Sequence, residues 1–331
     1  MKNKFFENKT ILVTGGTGSF GKKFTETILK KYNIKKIIIF SRDELKQSEL
    51  AEELTEYKKK LRFFIGDIRD LSRIKLALKK VDIVVHAAAL KQVPTAEYNP
   101  FEVIKTNILG TQNVIDAIID SDVKTAIALS TDKAAAPINL YGASKLAADK
   151  IFIAANHYSN KNFSVVRYGN VLKSRGSVLP LFLKQSISGK INITDKNMTR
   201  FSITLEQGVN FVINCLQNMW GGELFIPKIP SYRILDVAAA VVPNCKINYI
   251  GLRPGEKMHE EMITAADSYN TIEFEKYYVI LPSIHDFLKW KIKDFLNKSS
   301  KKPGKFCEKG FSYNSFDNKE YLNVVQLKKL I

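Results

Sequence analysis

The chain has 331 residues, of which 45% are hydrophobic, and a formal net charge of +18 from 51 basic and 33 acidic side chains. That is enough for one large domain, or a large domain with a smaller lobe, and the charge favours anionic partners, although lysine spread over a solvated surface explains most of the excess and no nucleic-acid motif accompanies it. Three distant cysteines (Cys215, Cys245, Cys307), four histidines without ligand spacing and no apolar run of about 18 residues exclude a disulfide framework, a metal site and a membrane span, and fit a reducing cytoplasm.

Strands and helices alternate from the start. "MKNKFFENKTILVTGG" lacks a signal-peptide core and runs straight into a strand, "TILVT" (10–14). A Gly-rich turn and the helix "FGKKFTETILKKY" follow, then "KKIIIF" (35–40) and a long polar helix, "DELKQSELAEELTEYKKK". "RFFI" (62–65), "DIVVH" (82–86), "TAIALS" (125–130) and "FSVVR" (163–167) continue as strands, with helices over about 71–79, 101–119 and 139–157. Short apolar strands between amphipathic helices predict an α/β fold, a Rossmann-like doubly wound parallel sheet covered on both faces. Beyond about residue 170 the rhythm loosens. "GNVLKSRGSVLP" reads as a loop, 204–219 as a helix, "GELFI" as a strand, "RILDVAAAVV" as a helix, and "YIGLRPGEKMHEEM" (249–262) as a strand end, a loop and a helix start. From about 284 the chain is Lys-rich with little apolar pattern.

"VTGGTGSFG" spaces Gly15, Gly18 and Gly21 between a strand and a helix. A tight turn needs glycine, a pyrophosphate needs missing side chains to approach the backbone, and a helix N-terminus favours negative charge. The turn therefore predicts dinucleotide binding, with Thr17, Ser19 and Phe20 in the same set. The second strand ends at Phe40, Ser41 and Arg42, where an NAD site often carries an acid. A hydroxyl and a guanidinium, with Lys46 nearby, suit a 2′-phosphate and predict NADP rather than NAD. Asp67, just past the third strand, is placed to hydrogen-bond an adenine amino group, with Ile68 against the ring. The small residues of "HAAALK" let the backbone lie against a cofactor, which adds Ala87, Ala88 and Lys91.

Tyr141 and Lys145 stand one helical turn apart on one face. A phenol with an ordinary pKa of about 10 becomes a base for a sugar or alcohol hydroxyl when an ammonium and a nicotinamide cation lower it. Asp132 and Lys133 follow the strand "TAIALS" directly. Neighbours at a strand end point to different sides, so an acid and an amine there address two atoms of a substrate separately. Acting as a base, the lysine needs a depressed pKa.

The motifs "TGGTGSFG", "SRDELKQSE", "FFIGDIRDL", "AEYNPFEVIKTNILG", "STDKA", "PINLYGASKLAADK", "MTRF" and "LRPGEKMHE" together resemble the soluble, C5-inverting UDP-N-acetylglucosamine 4,6-dehydratases. These are extended short-chain dehydrogenase/reductases of the pseudaminic acid and flagellin-glycosylation pathway. The resemblance runs from about residue 8 to 282. It implies that Tyr141 removes the O4 proton while bound NADP takes hydride from C4, that Lys145 tunes Tyr141 and holds the nicotinamide ribose, and that Thr131 hydrogen-bonds O4. Lys133 then takes the C5 proton, Asp132 protonates the departing 6-hydroxyl, and hydride returns to C6. For the UDP-sugar the resemblance points to Lys91, Lys133, Asn170, Arg200, Arg253 and Glu256. It implies an NADP-binding domain with the catalytic segment over 1–170, a smaller C-terminal substrate lobe over 171–283, and a tail over 284–331 that packs on the domain or is partly mobile. It also implies a homo-oligomer, dimer or hexamer.

Gln92, Ala136, Lys173 and Ser202 depart from the family pattern, where His, Asn, Gly and Trp are usual. Two rival readings stay within the superfamily, a UDP-sugar 4-epimerase and a C5-retaining dehydratase. A third is a non-catalytic NADP-binding sensor. A pure epimerase needs no acid at C6, and a sensor needs no acid–base set.

Overall fold

The computed structural model describes residues 4–172, 177–285, 288–298 and 302–330. The branched apolar runs of the first half become six parallel strands: β1 (Thr10–Thr14), β2 (Lys36–Ser41), β3 (Leu61–Ile65), β4 (Ile83–His86), β5 (Thr125–Thr131) and β6 (Asn162–Tyr168). Every residue of β1 is buried, and all but the first of β2, as expected of strands covered on both faces. Around them lie α1 (Ser19–Lys31), α2 (Glu44–Glu53), α3 (Leu71–Ala77), α4 (Val93–Tyr98), α5 (Pro100–Val103), α6 (Gly110–Ile119) and α7 (Leu140–Ala154). The strand order β3-β2-β1-β4-β5-β6 reverses direction between β1 and β4, which opens a crevice at the carboxyl ends of these strands.

Two helices differ from expectation. The long polar helix stops at Glu53, followed by a 3-10 turn at Thr55–Tyr57. The helix expected over 101–119 is broken by a π-helical turn, Ile104–Leu109. Such turns recur at functional sites, and this one brings Thr106 into the lining of the crevice and Asn107 against Leu90 and Ser144.

The second half is built from shorter pieces: β7 (Asn170–Val171), α8 (Val178–Ser186), β8 (Lys190–Ile193), β9 (Thr199–Ile203), α9 (Leu205–Asn218), β10 (Leu224–Pro227), β11 (Ser231–Arg233), α10 (Ile234–Val241), β12 (Lys246–Tyr249) and β13 (Glu261–Ile263). The chain continues through β14 (Thr271–Glu273), β15 (Tyr277–Ile280), α11 (Ile292–Leu296), β16 (Lys305–Phe306), β17 (Tyr313–Asn314) and α12 (Val324–Leu330). β10 extends the large sheet in parallel beside β6, and β15, β14 and β16 complete ten strands in antiparallel. The remaining short strands pair as β11-β9-β7, β12-β8 and β13-β17. The segment read as a loop over "GNVLKSRGSVLP" contains β7 and the start of α8. The helix start expected near 260 is instead β13, paired with β17.

One apolar cluster fills the space around the large sheet. A second, smaller one joins Leu172, Phe182, Ile191, Tyr232, Val237 and Leu327. The site lies where the crevice meets this smaller lobe. No described helix is long and apolar enough to cross a membrane.

Candidate active site

A cleft of about 710 Å³ opens at the carboxyl ends of β1, β2, β4 and β5. Gly15 sits at φ +65°, and a Cβ there would lie 2.9 Å from the Ala88 backbone, so only glycine lets the turn pass between β1 and β4. A Cβ on Gly21 would lie 2.5 Å from Gly16, which is how closely α1 packs onto the turn. All the residues expected to hold a dinucleotide line this cleft: Gly15, Thr17, Gly18, Ser19, Phe20, Gly21, Ser41, Arg42, Lys46, Asp67, Ile68, Ala87, Ala88, Lys91, Tyr141 and Lys145.

Their partners refine the picture. Ser41 is buried and its Oγ accepts a hydrogen bond from Gln47 Nε2 at 2.9 Å. Arg42 is half-exposed, with Nη1 3.7 Å from Asp67 Oδ2, and Lys46 pairs with Asp43. The Asp67 carboxylate, expected to face an adenine, is gripped by Arg69 through Nε and Nη2 at 3.0 and 2.7 Å. Burial would raise its pKa, but the Arg69 bonds and the Arg69 and Arg42 charges hold it below the usual carboxylate value.

Thr131 ends β5, and Asp132–Ala134 form a 3-10 turn before α7. Asn139 caps α7 by accepting from the Gly142 N–H at 2.8 Å, and its Nδ2 donates to the Gly255 carbonyl at 2.8 Å. Thr131, Asp132, Lys133, Tyr141 and Lys145 all meet in the cleft. Asp132 and Lys133, expected to diverge, instead face each other: Lys133 Nζ and Thr131 Oγ1 each donate to Asp132 Oδ1 at 3.0 Å. The 3-10 turn curls the chain, so the alternation of a strand no longer applies. Asp132 Oδ2 is buried with no hydrogen-bond partner among the described residues. Burial pushes the Asp132 carboxyl up, aided by Glu260 and opposed by Lys133.

Two groups lie above their ordinary pKa in the chain itself, where the base roles need values below it. Burial alone would lower Lys133, but the Asp132 and Glu260 carboxylates overcome it and raise the amine above the usual lysine value. Burial pushes the Tyr141 phenol up to about 12, and the ammonium that pulls against this is Lys133 rather than Lys145. Lys145 is itself lowered by burial, opposed by Asp149.

Of the residues expected at the UDP-sugar, Lys91, Lys133 and Asn170 line the cleft, and Asn170 Oδ1 is buried without a partner among the described residues. Arg253 and Glu256 stand apart on the loop before β13, where the Glu256 carboxylate accepts from the Arg253 N–H at 3.4 Å and lies 3.6 Å from Arg200. Arg200 does not line the cleft. Its guanidinium is buried and donates to the carbonyls of Thr199, Lys257 and Met258 at 2.7–3.0 Å, so it holds the 250s loop. Gln92 lines the cleft mouth, Ser202 is buried in β9, Ala136 has a positive φ of 40°, and Lys173 lies outside the described residues.

Four supporting residues escaped the sequence reading. Asp149 continues the Tyr141–Lys145 face by one more turn; it accepts from Ser130 Oγ at 2.6 Å and pairs with buried Arg167 at 3.3 Å. That spacing was available as a signal. Gly142 was quoted in the motif without a role, yet a Cβ there would lie 2.1 Å from the Lys133 carbonyl oxygen. Asn107 clamps the Leu90 backbone through both amide atoms and donates to Ser144 Oγ at 3.0 Å. Glu260, 3.1 Å from Lys133 Nζ, closes the quoted motif "LRPGEKMHE" but nothing in its spacing points to Lys133.

Fold and cleft together define an extended short-chain dehydrogenase/reductase architecture. The chain belongs to the polysaccharide biosynthesis protein family, whose pattern matches residues 11–282. A Campylobacter jejuni protein described as a UDP-N-acetylglucosamine 4,6-dehydratase (inverting) is 52% identical over 331 residues, covering 98% of each chain. A UDP-glucose 4-epimerase of Rickettsia canadensis is 42% identical over 286 residues, covering 83% of each. The X-ray structure of Pen from Bacillus thuringiensis, 37% identical, superposes with a TM-score of 0.88 over 98% of each chain. A dTDP-glucose 4,6-dehydratase from Streptomyces venezuelae, solved with NAD, shares the fold at 20% identity and a TM-score of 0.67, over 75% of this chain and 86% of that one.

Proposed function

We propose that this chain is an inverting UDP-N-acetylglucosamine 4,6-dehydratase that works with NADP. Its product is UDP-2-acetamido-2,6-dideoxy-β-L-arabino-hexos-4-ulose, as in the first step of a pseudaminic acid-type nucleotide-sugar route. The observation that carries the reading is the Asp132–Lys133 pair set beside Tyr141 in a dinucleotide-shaped cleft. The full-length likeness to the Campylobacter jejuni dehydratase supports the same substrate.

The cleft fits the cofactor. The cradle at Gly15, Gly18 and Gly21 admits a pyrophosphate, Ser41, Arg42 and Lys46 supply donors for a 2′-phosphate, and Ile68, Ala87 and Ala88 offer apolar and backbone surface. These residues would hold the dinucleotide, which would supply the hydride chemistry, as acceptor at C4 of the sugar and donor at C6. The protons are the work of the chain. Tyr141 keeps its proton at rest; positive charge around it, Lys133 being the cation already present, favours loss of that proton to solvent, and the phenolate then takes the proton of O4–H. Thr131 orients the same hydroxyl.

The C4 ketone then makes the C5 proton acidic. At rest Lys133 is an ammonium and Asp132 a carboxylate, which is the wrong pair of protonation states for an elimination. One proton moving along their 3.0 Å hydrogen bond corrects both. It leaves a neutral amine to take the C5 proton and a neutral acid to protonate the leaving 6-hydroxyl. Burial of Asp132 favours that transfer by raising its proton affinity. A solvent proton added to C5 on the opposite face gives the L-sugar.

The test is incubation with UDP-N-acetylglucosamine in deuterated water, followed by NMR. Deuterium at C5 with inverted ring configuration is expected. A C4 epimer alone would establish the epimerase reading that the Rickettsia relative represents, and deuterium with retained configuration would establish a retaining dehydratase. Unchanged substrate would remove the enzymatic reading. Separately, a preference of the purified protein for NAD over NADP would remove the 2′-phosphate role of Ser41, Arg42 and Lys46.

A further inference from the structure

Behind Lys133, off the cleft, stands a carboxylate that the scheme above does not use. Glu260 is 2% exposed, 3.1 Å from Lys133 Nζ and 3.6 Å from Arg200 Nε, and its Oε2 has no hydrogen-bond partner among the described residues. Its backbone is fixed from the far end of the chain. The Glu260 N–H donates to Ser315 Oγ at 2.9 Å and its carbonyl accepts from the Ser315 N–H at 2.8 Å. Ser315 is fully buried and its hydroxyl also meets Thr199 Oγ1 at 2.7 Å. A buried, half-satisfied carboxylate is costly, and here its charge is directed at one group in the cleft.

We propose that Glu260 is a positioning residue for Lys133: it holds the ammonium from behind, aims it at Asp132 and the cleft, and sets how readily it releases a proton. The proposal rests on the reading of Lys133 as the C5 base. Lys133 faces Asp132 in its own turn, Tyr141 from α7, Arg200 from β9, Tyr232 from β11, and Lys257 with Glu260 from the segment entering β13. The two carboxylates favour the ammonium and the two other cations oppose it. In the proton transfer described above, an N–H bond of Lys133 breaks and an O–H bond of Asp132 forms, with no change in total charge. Glu260 works against that transfer, because its charge stabilises the ammonium. It therefore fixes the ratio of resting to reactive pair without touching the sugar.

Competitive labelling of the full chain with acetic anhydride across pH, read by peptide mass spectrometry, gives the Lys133 titration midpoint without needing turnover. Glu260→Gln should lower that midpoint by about one pH unit or more, a tenfold loss of proton affinity. It should also move the basic limb of the kcat–pH profile, where the proton shared by Asp132 and Lys133 is lost, down by the same amount, and Glu260→Asp should recover most of both. An unchanged midpoint in folded Glu260→Gln overturns the proposal. Should that variant not fold, Ser315→Ala serves: it keeps every charge, removes one of the two bonds on the Glu260 backbone, and should lower the midpoint by a smaller amount, whereas no shift again overturns the proposal. A lowered midpoint in a chain that leaves the UDP-sugar untouched supports the role of Glu260 and refutes the dehydratase reading instead.

Discussion

Gly142 sets the tolerance of the reacting turn. Its Cα faces the Lys133 carbonyl so closely that a methyl group would lie 2.1 Å from that oxygen, a contact neither backbone relieves by a side-chain rotation. Gly142→Ala should therefore push the Asp132–Ala134 turn away from α7, costing about 1–3 kcal/mol and most of the turnover. Dinucleotide affinity should fall less than turnover, because the glycine cradle lies on another element although Tyr141 and Lys145 share α7 with Gly142; equal loss of both in titration calorimetry and activity assays would refute this. Lys133→Ala should lower turnover about 10²–10⁴-fold, the usual worth of a positioned acid or base, again with cofactor binding intact. Normal turnover would take Lys133 out of the mechanism. Ala136 is the opposite case, a residue in a conformation it does not favour. At φ +40° its Cβ crowds the backbone, and Asn, usual here in the family pattern, tolerates that region better. Ala136→Gly should raise the unfolding free energy by about 0.5–1 kcal/mol, read as a higher denaturant midpoint. At this scale the sequence shows what local spacing shows: Tyr141 and Lys145 one turn apart, three glycines in one turn. It does not show Glu260, which is 127 positions from Lys133 (260 − 133) and reaches it only through the fold. At Lys133 part of the cause is local, since Asp132 is its neighbour in sequence, but Glu260 and the burial that lifts Tyr141 come from distant segments.

The strands of the first half were legible because burial on both faces demands continuous apolar runs, and the sequence supplies them. The π-helical turn was not, because nothing in "FEVIKTNILG" departs from helical periodicity. It forms where tertiary bonds outweigh one extra residue per turn. Thr14 donates to His86 Nδ1 at 2.8 Å, because its own oxygen already accepts the Ala87 and Ala88 N–H groups. His86 Nε2–H donates to Thr111 Oγ1 at 3.0 Å, and Thr111 donates in turn to the Asn107 carbonyl at 2.7 Å. From Asn107 the chain of bonds runs through Ser144 to the Tyr141 carbonyl. One buried network thus ties the end of β1, beside the glycine turn, to α7. Burial, aided by Lys145, holds His86 down at about 3. The unfolded chain takes up a proton near pH 6.5 that the folded chain refuses until about pH 3. The stabilisation is therefore complete above pH 6.5 and falls as the pH drops, by up to about 1.4 kcal/mol per unit. Gln keeps one acceptor and one donor but does not titrate. Between pH 6 and pH 5, wild type should lose about 1 kcal/mol more than His86→Gln in urea unfolding; parallel slopes would show that His86 does not titrate on unfolding.

The whole chain closes on itself in a way its composition hides. The family pattern ends at residue 282 and the Lys-rich remainder carries little periodicity, because its strands are two residues long. Yet β16 edges the large sheet, β17 pairs with β13, and α12 buries Leu327 in the second apolar cluster. Tyr313 Oη accepts from the Ile229 N–H at 2.9 Å and donates to its carbonyl at 2.8 Å, and Asn318 Nδ2 reaches Ile229 and Ser231. These bonds run from the tail into the segment between β10 and β11, far from the glycine cradle. A chain ending at Gly304 should consequently fail unevenly. It loses the burial of Tyr313 and Leu327, about 1.5–3 kcal/mol each, and the Ser315 bonds that fix Glu260. The smaller lobe should loosen, and turnover should vanish with it. The dinucleotide cleft draws on residues before Leu205, so NADP should still bind within about tenfold of wild type, a change near 1.4 kcal/mol. Hydrogen exchange of peptides covering residues 178–193 and 231–241, which carry the second apolar cluster, alongside cofactor titration, separates the two ends. Loss of NADP binding in step with the lobe would mean that the tail supports the whole sheet rather than the substrate side alone.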